Sequence, residues 1–133
     1  MNRPLDGLRV LVVDDDPDSL ELLGLVLAGG GAQVTACASA ESALDAFRTT
    51  PPDVVVSDLS MPRRDGYWLV HQMRAPGPAR GVPALALTAF GSRYRRDVAL
   101  AAGFQDQIAK PVEPDELCAA VARLVRRGAG GDR

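Results

Sequence analysis

Five short apolar runs, separated by longer segments of helical period, constrain this chain more than any other feature of its sequence. The runs are Leu8 to Val13, Gln33 to Ala36, Val54 to Val56, Val82 to Leu87 and, more weakly, Gln105 to Ala109. Several are nearly continuous in Val, Leu or Ala, as strands buried on both faces of a parallel sheet must be. After each run lies a segment with one apolar stripe: Leu20, Leu23, Leu27; Ala43, Leu44, Phe47; Trp68, Leu69, Met73; Val98, Ala101, Ala102; and Leu117, Val121, Leu124. Each stripe predicts a helix lying on the sheet. The capping chemistry agrees. Asp16 precedes Pro17, Ser39 precedes the second helix, Glu113 precedes Pro114, and Gly29, Gly30 and Gly31 stop the first helix.

Five β-α units with no room for hairpins imply parallel strands joined by right-handed crossovers. The expected fold class is α/β, a doubly wound three-layer sandwich of a five-stranded parallel sheet and five helices. At 133 residues, 47% of them apolar, a single core is expected to form without a metal or disulfide staple. Cys37 and Cys118 form no Cys-x-x-Cys pair and read as buried small apolar residues. Residues 8–127 are expected to make one domain, with 1–7 and 128–133 as linkers or frayed tails and Ala75 to Gly81 as a surface loop.

Charge narrows the function. Fifteen basic against seventeen acidic residues give a net charge of -2, so no general attraction to nucleic acid is expected. Two local clusters, Arg93, Arg95, Arg96 and Arg123, Arg126, Arg127, read as solvated helix faces. No signal-peptide pattern follows Met1 and no apolar run approaches the ~20 residues that span a bilayer, so no membrane insertion and a cytoplasmic location are expected.

Chemistry collects where the strands' carboxyl ends meet the loops, which is the functional edge of such a sheet. Asp14, Asp15 and Asp16 follow the first apolar run, Asp58 the third, Thr88 the fourth, and Lys110 with Pro111 the fifth. Carboxylates brought to one rim repel each other unless a cation joins them. An all-oxygen site suits a hard ion such as Mg²⁺, which takes one or two carboxylates and leaves other positions to water or phosphate. A carboxylate can itself attack phosphorus, with metal, amine and hydroxyl stabilising the transferred oxygens. Asp16 reads as the cap of the first helix. His71 reads as a surface residue, and Tyr67 and Trp68 as packing.

The segments VLVVDDDP, VVVSDLSMPRRDGY, ALALTAF and IAKPVEP, in this order at successive strand ends, resemble the receiver domain of two-component response regulators from about Leu8 to Val125. The resemblance implies a flavodoxin-like sheet of strand order 2-1-3-4-5. It implies Asp58 as phosphoacceptor, Asp14 and Asp15 as the acidic pair that holds Mg²⁺, and the Ser60 backbone carbonyl as a further ligand. Lys110 is then the partner of a phosphoryl oxygen, and Thr88 the hydroxyl that reorients toward it. A cis bond before Pro111 and a turn shaped by Met61, Pro62 and Gly66 also follow from it. The implied partners are a histidine kinase or phosphotransfer protein upstream, and a target protein or a second copy docking on the fourth helix, fifth strand and fifth helix, without direct nucleic-acid contact.

One position departs from the family pattern: Gln107 stands where Tyr or Phe is common three residues before the lysine. Because the sequence ends soon after the fifth helix, output is expected through a partner, through dimerisation or through a longer parent chain. The opening PLDGLRVLVVDDD is similar to receiver segments of hybrid histidine kinases.

The rival reading is a Mg²⁺-dependent phosphatase in which Asp14 attacks and Asp16 is the acid of an Asp-x-Asp pair. Its spacing fits, but the MP-x-x-DG turn after Asp58 would then have no purpose and little chain is left for a substrate cap. An FMN carrier is disfavoured because three carboxylates would repel the flavin phosphate. A nucleotide triphosphatase is disfavoured by the absence of Gly-x4-Gly-Lys-Ser/Thr.

Overall fold

The computed structural model describes residues 3–89 and 96–131, with side chains as far as Arg126. Strands β1 (Arg9–Val13), β2 (Gln33–Cys37), β3 (Val54–Asp58), β4 (Ala84–Thr88) and β5 (Asp106–Ala109) alternate with helices α1 (Pro17–Gly29), α2 (Ala40–Thr49), α3 (Gly66–Met73), α4 (Arg96–Ala102) and α5 (Pro114–Gly131). The strands form one parallel sheet in the order β2-β1-β3-β4-β5, as the resemblance implies.

Strand periodicity divides the interior into two layers. Leu11, Val13, Val55, Ala84 and Ala86 face α2, α3 and α4, where Ala43, Phe47, Leu69, Met73 and Ala99 complete one core. Val10, Val12, Val56, Leu85 and Leu87 face the other way, against Leu23 and Leu27 of α1 and Leu117, Val121 and Leu124 of α5. Alternate residues of a strand point to opposite faces, so these runs serve both cores at once. β3 and β4, central in the sheet, are buried throughout.

Several expectations are corrected. β2 is mostly exposed, because an edge strand has one neighbour and only partial helix cover. β3 runs on through Asp58 and β4 through Thr88, so these residues end their strands instead of following them. On α4 the stripe is displaced: Ala99 is buried, whereas Val98 is 47% exposed and Ala101 is exposed. Three of the seven residues of this helix are alanines, and its larger apolar side chains, Val98 and Leu100, are the exposed ones, so residue size does not mark the inward face. Trp68 is only half-buried, with the Arg64 guanidinium 5.0 Å from its ring centroid, while Leu69 and Val70 fill the core. Cys37 and Cys118 are half-buried, and burial pushes both thiol pKa values up.

Among the described residues, the fold extends further toward both termini than the composition suggests. Leu5 is fully buried, and its N–H donates to the Gly30 carbonyl at 2.8 Å. Gly31, at φ +103°, packs so closely there that a Cβ would stand 2.8 Å from the Asp6 Cα. α5 continues to Gly131, past the expected boundary at 127. Of the two arginine clusters, Arg93 and Arg95 lie outside the described residues, as does the Arg127 side chain. Arg96 and Arg123 are not free in solvent, since both reach Asp106.

The Pro/Gly-rich segment after α3 is held by one side chain. Arg74 Nη1 donates to the carbonyls of Arg80 (2.7 Å) and Val82 (2.6 Å). Its Nε and Nη2 donate to Gly103 O (3.1 and 2.8 Å), and Nη2 also reaches Gln105 Oε1 (3.1 Å). Burial, then the nearby Arg80 charge, lowers its pKa. Arg74→Ala leaves three carbonyls short of a donor and is expected to cost about 2 kcal/mol, read from a denaturant midpoint at unchanged slope.

Candidate acceptor and metal site

The rim residues converge as their strand-end positions predict. Asp14 follows β1 directly and its N–H donates to the Cys37 carbonyl at 3.2 Å, which fixes its backbone against the end of β2. It is fully buried. Its Oδ1 accepts from the Asp16 N–H at 2.9 Å and its Oδ2 lies 2.7 Å from Lys110 Nζ. Asp15, next in the chain, is exposed at the mouth. Asp16 is the N-cap of α1, its side chain accepting from the Asp18 N–H at 3.3 Å.

Asp58 is 8% exposed, with Oδ1 accepting from the Ser60 N–H at 3.1 Å and Oδ2 3.4 Å from Lys110 Nζ. One carboxylate oxygen from each of Asp14, Asp15 and Asp58 can be chosen so that all three lie within 4.8 Å of one another. Three acids against one lysine leave excess negative charge in a partly desolvated place, which suits a divalent cation. Burial raises the Asp58 pKa, opposed by the Ser60 N–H and Lys110 and reinforced by the Asp14 charge. Burial alone would lower the Lys110 pKa, but the hydrogen bond to Asp14 and the charges of Asp58 and Asp14 outweigh it and raise it. Lys110 is therefore a fixed cation between two carboxylates.

The backbone around these groups is fixed locally. The Lys110-Pro111 bond is cis, as the resemblance implies, and the Lys110 N–H donates to the Thr88 carbonyl at 2.6 Å. Thr88 is buried at the end of β4, on the same rim. After Asp58 the chain turns at once, with the Gly66 N–H donating to the Leu59 carbonyl at 3.1 Å. α3 then begins with Asp65 as its N-cap, accepting from the Trp68 N–H at 2.9 Å. Met61 is buried, Pro62 is exposed, and Arg63 turns the loop at φ +69°. Gln107 is half-buried on β5, and His71 is exposed on α3.

The family model of the response regulator receiver domain matches residues 10–122. The chain belongs to this family. Among curated relatives, the receiver is 42% identical over 113 residues to an uncharacterised 14.6 kDa protein of Leptolyngbya boryana, covering 85% of this chain and 86% of that one. It is 38% identical over 119 residues to the DNA-binding response regulator MtrA of Mycolicibacterium smegmatis, covering 90% of this chain but 51% of MtrA. The receiver thus spans about half the length of MtrA and of the similarly matched TcrX. Among solved structures, the receiver domain of sensor histidine kinase PA1611 from Pseudomonas aeruginosa superposes with a TM-score of 0.82 at 31% identity, covering 90% of this chain and 98% of that one. That structure carries a magnesium ion coordinated in its active-site cleft. As a receiver domain, the protein is a signal-transduction module of two-component systems. Among the described residues, no helix is long and apolar enough to cross a membrane.

Proposed function

We propose that Asp58 accepts a phosphoryl group from a histidine kinase or phosphotransfer protein, and that the modified carboxylate switches a partner-binding surface on α4, β5 and α5. The observation that carries this reading is the convergence of Asp14, Asp15 and Asp58 within 4.8 Å, with Lys110 reaching two of them. Asp14, Asp15, Asp58 and the Ser60 backbone carbonyl would hold Mg²⁺. When bound, the ion offsets charge on the phosphoryl oxygens in transfer. The relative PA1611, with magnesium in the corresponding cleft, supports this choice of ion.

In the transfer, an Asp58 oxygen attacks phosphorus, the bond from phosphorus to the donor nitrogen breaks, and the donor imidazole leaves with the electron pair. Lys110 neutralises a phosphoryl oxygen and Thr88 turns its hydroxyl toward another. The domain catalyses its own modification and the later hydrolysis, rather than turning over a separate substrate. The receiver unit takes in Leu5 before β1 and the whole of α5, and meets its donor in the cytoplasm.

The bonding of the two buried aspartates argues against the phosphatase reading. Both aspartates have both oxygens engaged, but Asp14 is held more closely, by the Asp16 N–H at 2.9 Å and Lys110 at 2.7 Å, than Asp58, whose contacts are the Ser60 N–H at 3.1 Å and Lys110 at 3.4 Å. Asp16, the acid that reading requires, is occupied as a helix cap. Incubation with phosphoramidate and Mg²⁺, followed by peptide mass spectrometry, is expected to find the phosphoryl on Asp58 and to find none in Asp58→Asn. A label on Asp14 that survives Asp58→Asn would sink the proposal.

A further inference from the structure

The sheet has two edges, and they are built differently. β5 carries the buried Asp106, held by Arg96 of α4 at 2.9 Å and Arg123 of α5 at 3.7 Å, so charged groups stand around that edge. Charge at an edge strand protects it against pairing with another chain. β2, the opposite edge, reads QVTAC and has neither a charge nor a proline. It pairs with β1 residue for residue from Gln33 to Cys37, without a bulge, and Thr35 and Ala36 are exposed.

Only half of the β2 backbone is used. The Gln33 N–H donates to the Leu8 carbonyl at 2.8 Å, and the Cys37 carbonyl accepts from the Asp14 N–H at 3.2 Å. Gln33, Thr35 and Cys37 therefore bond toward β1. Backbone groups alternate in direction along a strand, which turns those of Val34 and Ala36 outward. Among the described residues, none bonds to these outward groups.

On one face of this edge α1 lies directly over β2, since a Cβ on Gly24 would stand 3.9 Å from Val34 Cγ1. A depression of about 430 Å³ opens between them, with Leu20, Leu25, Val34 and Ala36 as its apolar wall and Asp15 and Glu21 as its acids. Leu25 is 66% exposed. The acids of α1, Asp18 and Glu21, lie in its first half, and Leu22 to Gly29 carries none.

We propose that the β2 edge joins two copies of this chain, antiparallel about a two-fold axis at Thr35. That register sets Val34 against the partner's Ala36 on either side of the axis. Each such pair exchanges both N–H···O bonds and satisfies the outward groups. The axis is perpendicular to the sheet, so each face is continued by the same face of the partner. Val34, Ala36 and Leu25 then meet the partner's Val34, Ala36 and Leu25, and apolar surface exposed in one copy is covered by the other. Charge favours this occupant and this orientation. A strand without charge does not repel its own copy, and antiparallel pairing lays the acidic half of each α1 beside the uncharged half of the other. Nothing in this pairing requires Asp58 to be the acceptor.

Sedimentation equilibrium of the unphosphorylated chain tests the proposal. The mass is expected to rise from 14.0 kDa toward twice that value as concentration increases from about 10 to about 500 µM, the range of a weak association. Thr35 would stand opposite the partner's Thr35, so a like charge there is unfavourable in the dimer and harmless to the exposed site in the monomer. Thr35→Lys and Thr35→Glu, each alone, should weaken association at least fivefold while keeping the wild-type melting temperature. Mixing the two variants should restore it, since opposite charges then face each other across the axis. Val98→Glu, on the exposed side of α4, should associate as wild type does. Wild-type protein that stays at 14.0 kDa throughout overturns the proposal. So does a dissociation constant of Thr35→Lys within twofold of wild type, a mixture that associates no better than its components, or loss of association in Val98→Glu.

Discussion

Asp14→Ala is expected to weaken Mg²⁺ binding by about 10- to 100-fold, or roughly 1.4–2.8 kcal/mol. Asp14 is the most buried of the three clustered carboxylates. Its position is over-determined by the Cys37 carbonyl, the Asp16 N–H and Lys110. Its removal takes away one ligand and also frees Lys110. With Asp14 gone, Asp58 is the remaining carboxylate partner of the ammonium among the described residues, at 3.4 Å, and the lysine can move onto it and compete with the metal there. Both effects act in the same direction. Calorimetric titration with Mg²⁺ measures the sum, and Asp16→Ala is the control. Asp16 caps α1, so its loss should cost about 1 kcal/mol of stability and leave metal affinity within twofold. Unchanged affinity in Asp14→Ala would remove it from the ligand set.

The convergence of the candidate acceptor residues was legible in the sequence because strand ends are local features. A nearly continuous apolar run followed by Asp14 or Lys110 can be read from adjacent residues, and a parallel sheet brings the ends of all such runs to one side. The same holds for the helix caps at Asp16 and Ser39, which act within three residues of themselves. Strand order did not follow from periodicity and came only with the resemblance. Long-range polar contacts left no local trace. Arg74 reaches Gly103 across 29 residues, and in sequence it is one more arginine after a helix. Asp106 sits within a weak apolar run, and its partners Arg96 and Arg123 read as solvated faces because nothing near them shows a buried acid. Leu5 was missed for the opposite reason. A single apolar residue in a polar, Pro- and Gly-containing segment shows no period, although its burial against Gly30 fixes the start of the structure.

Gly66→Ala tests how closely α3 must approach the acceptor, and its expected cost is about 3 kcal/mol, or roughly 10 °C in melting temperature. A Cβ on Gly66 would lie 2.5 Å from the Asp58 carbonyl oxygen, 3.0 Å from the Leu59 Cα and 3.2 Å from Leu59 Cδ2. The requirement is for space, not for an unusual backbone angle, since Gly66 is not among the glycines of positive φ. Two of the three obstructing atoms are backbone, and Leu59 is itself fully buried with its N–H bonded to the Leu87 carbonyl at 3.0 Å. Neither side can yield without moving the start of α3 or the segment that carries Asp58. Relief of the clash should therefore displace the acceptor as well as destabilise the fold, and phosphorylation by phosphoramidate is expected to fall at least tenfold at a temperature where the variant remains folded. Gly29→Ala gives the contrast. Its Cβ would meet nothing within 4 Å, and the added methyl favours the last turn of α1, so it should be neutral or slightly stabilising. If Gly66→Ala melted with Gly29→Ala and labelled at the wild-type rate, the helix would not need to pass so near the acceptor, and the glycine after Asp65 would have no part in shaping the site.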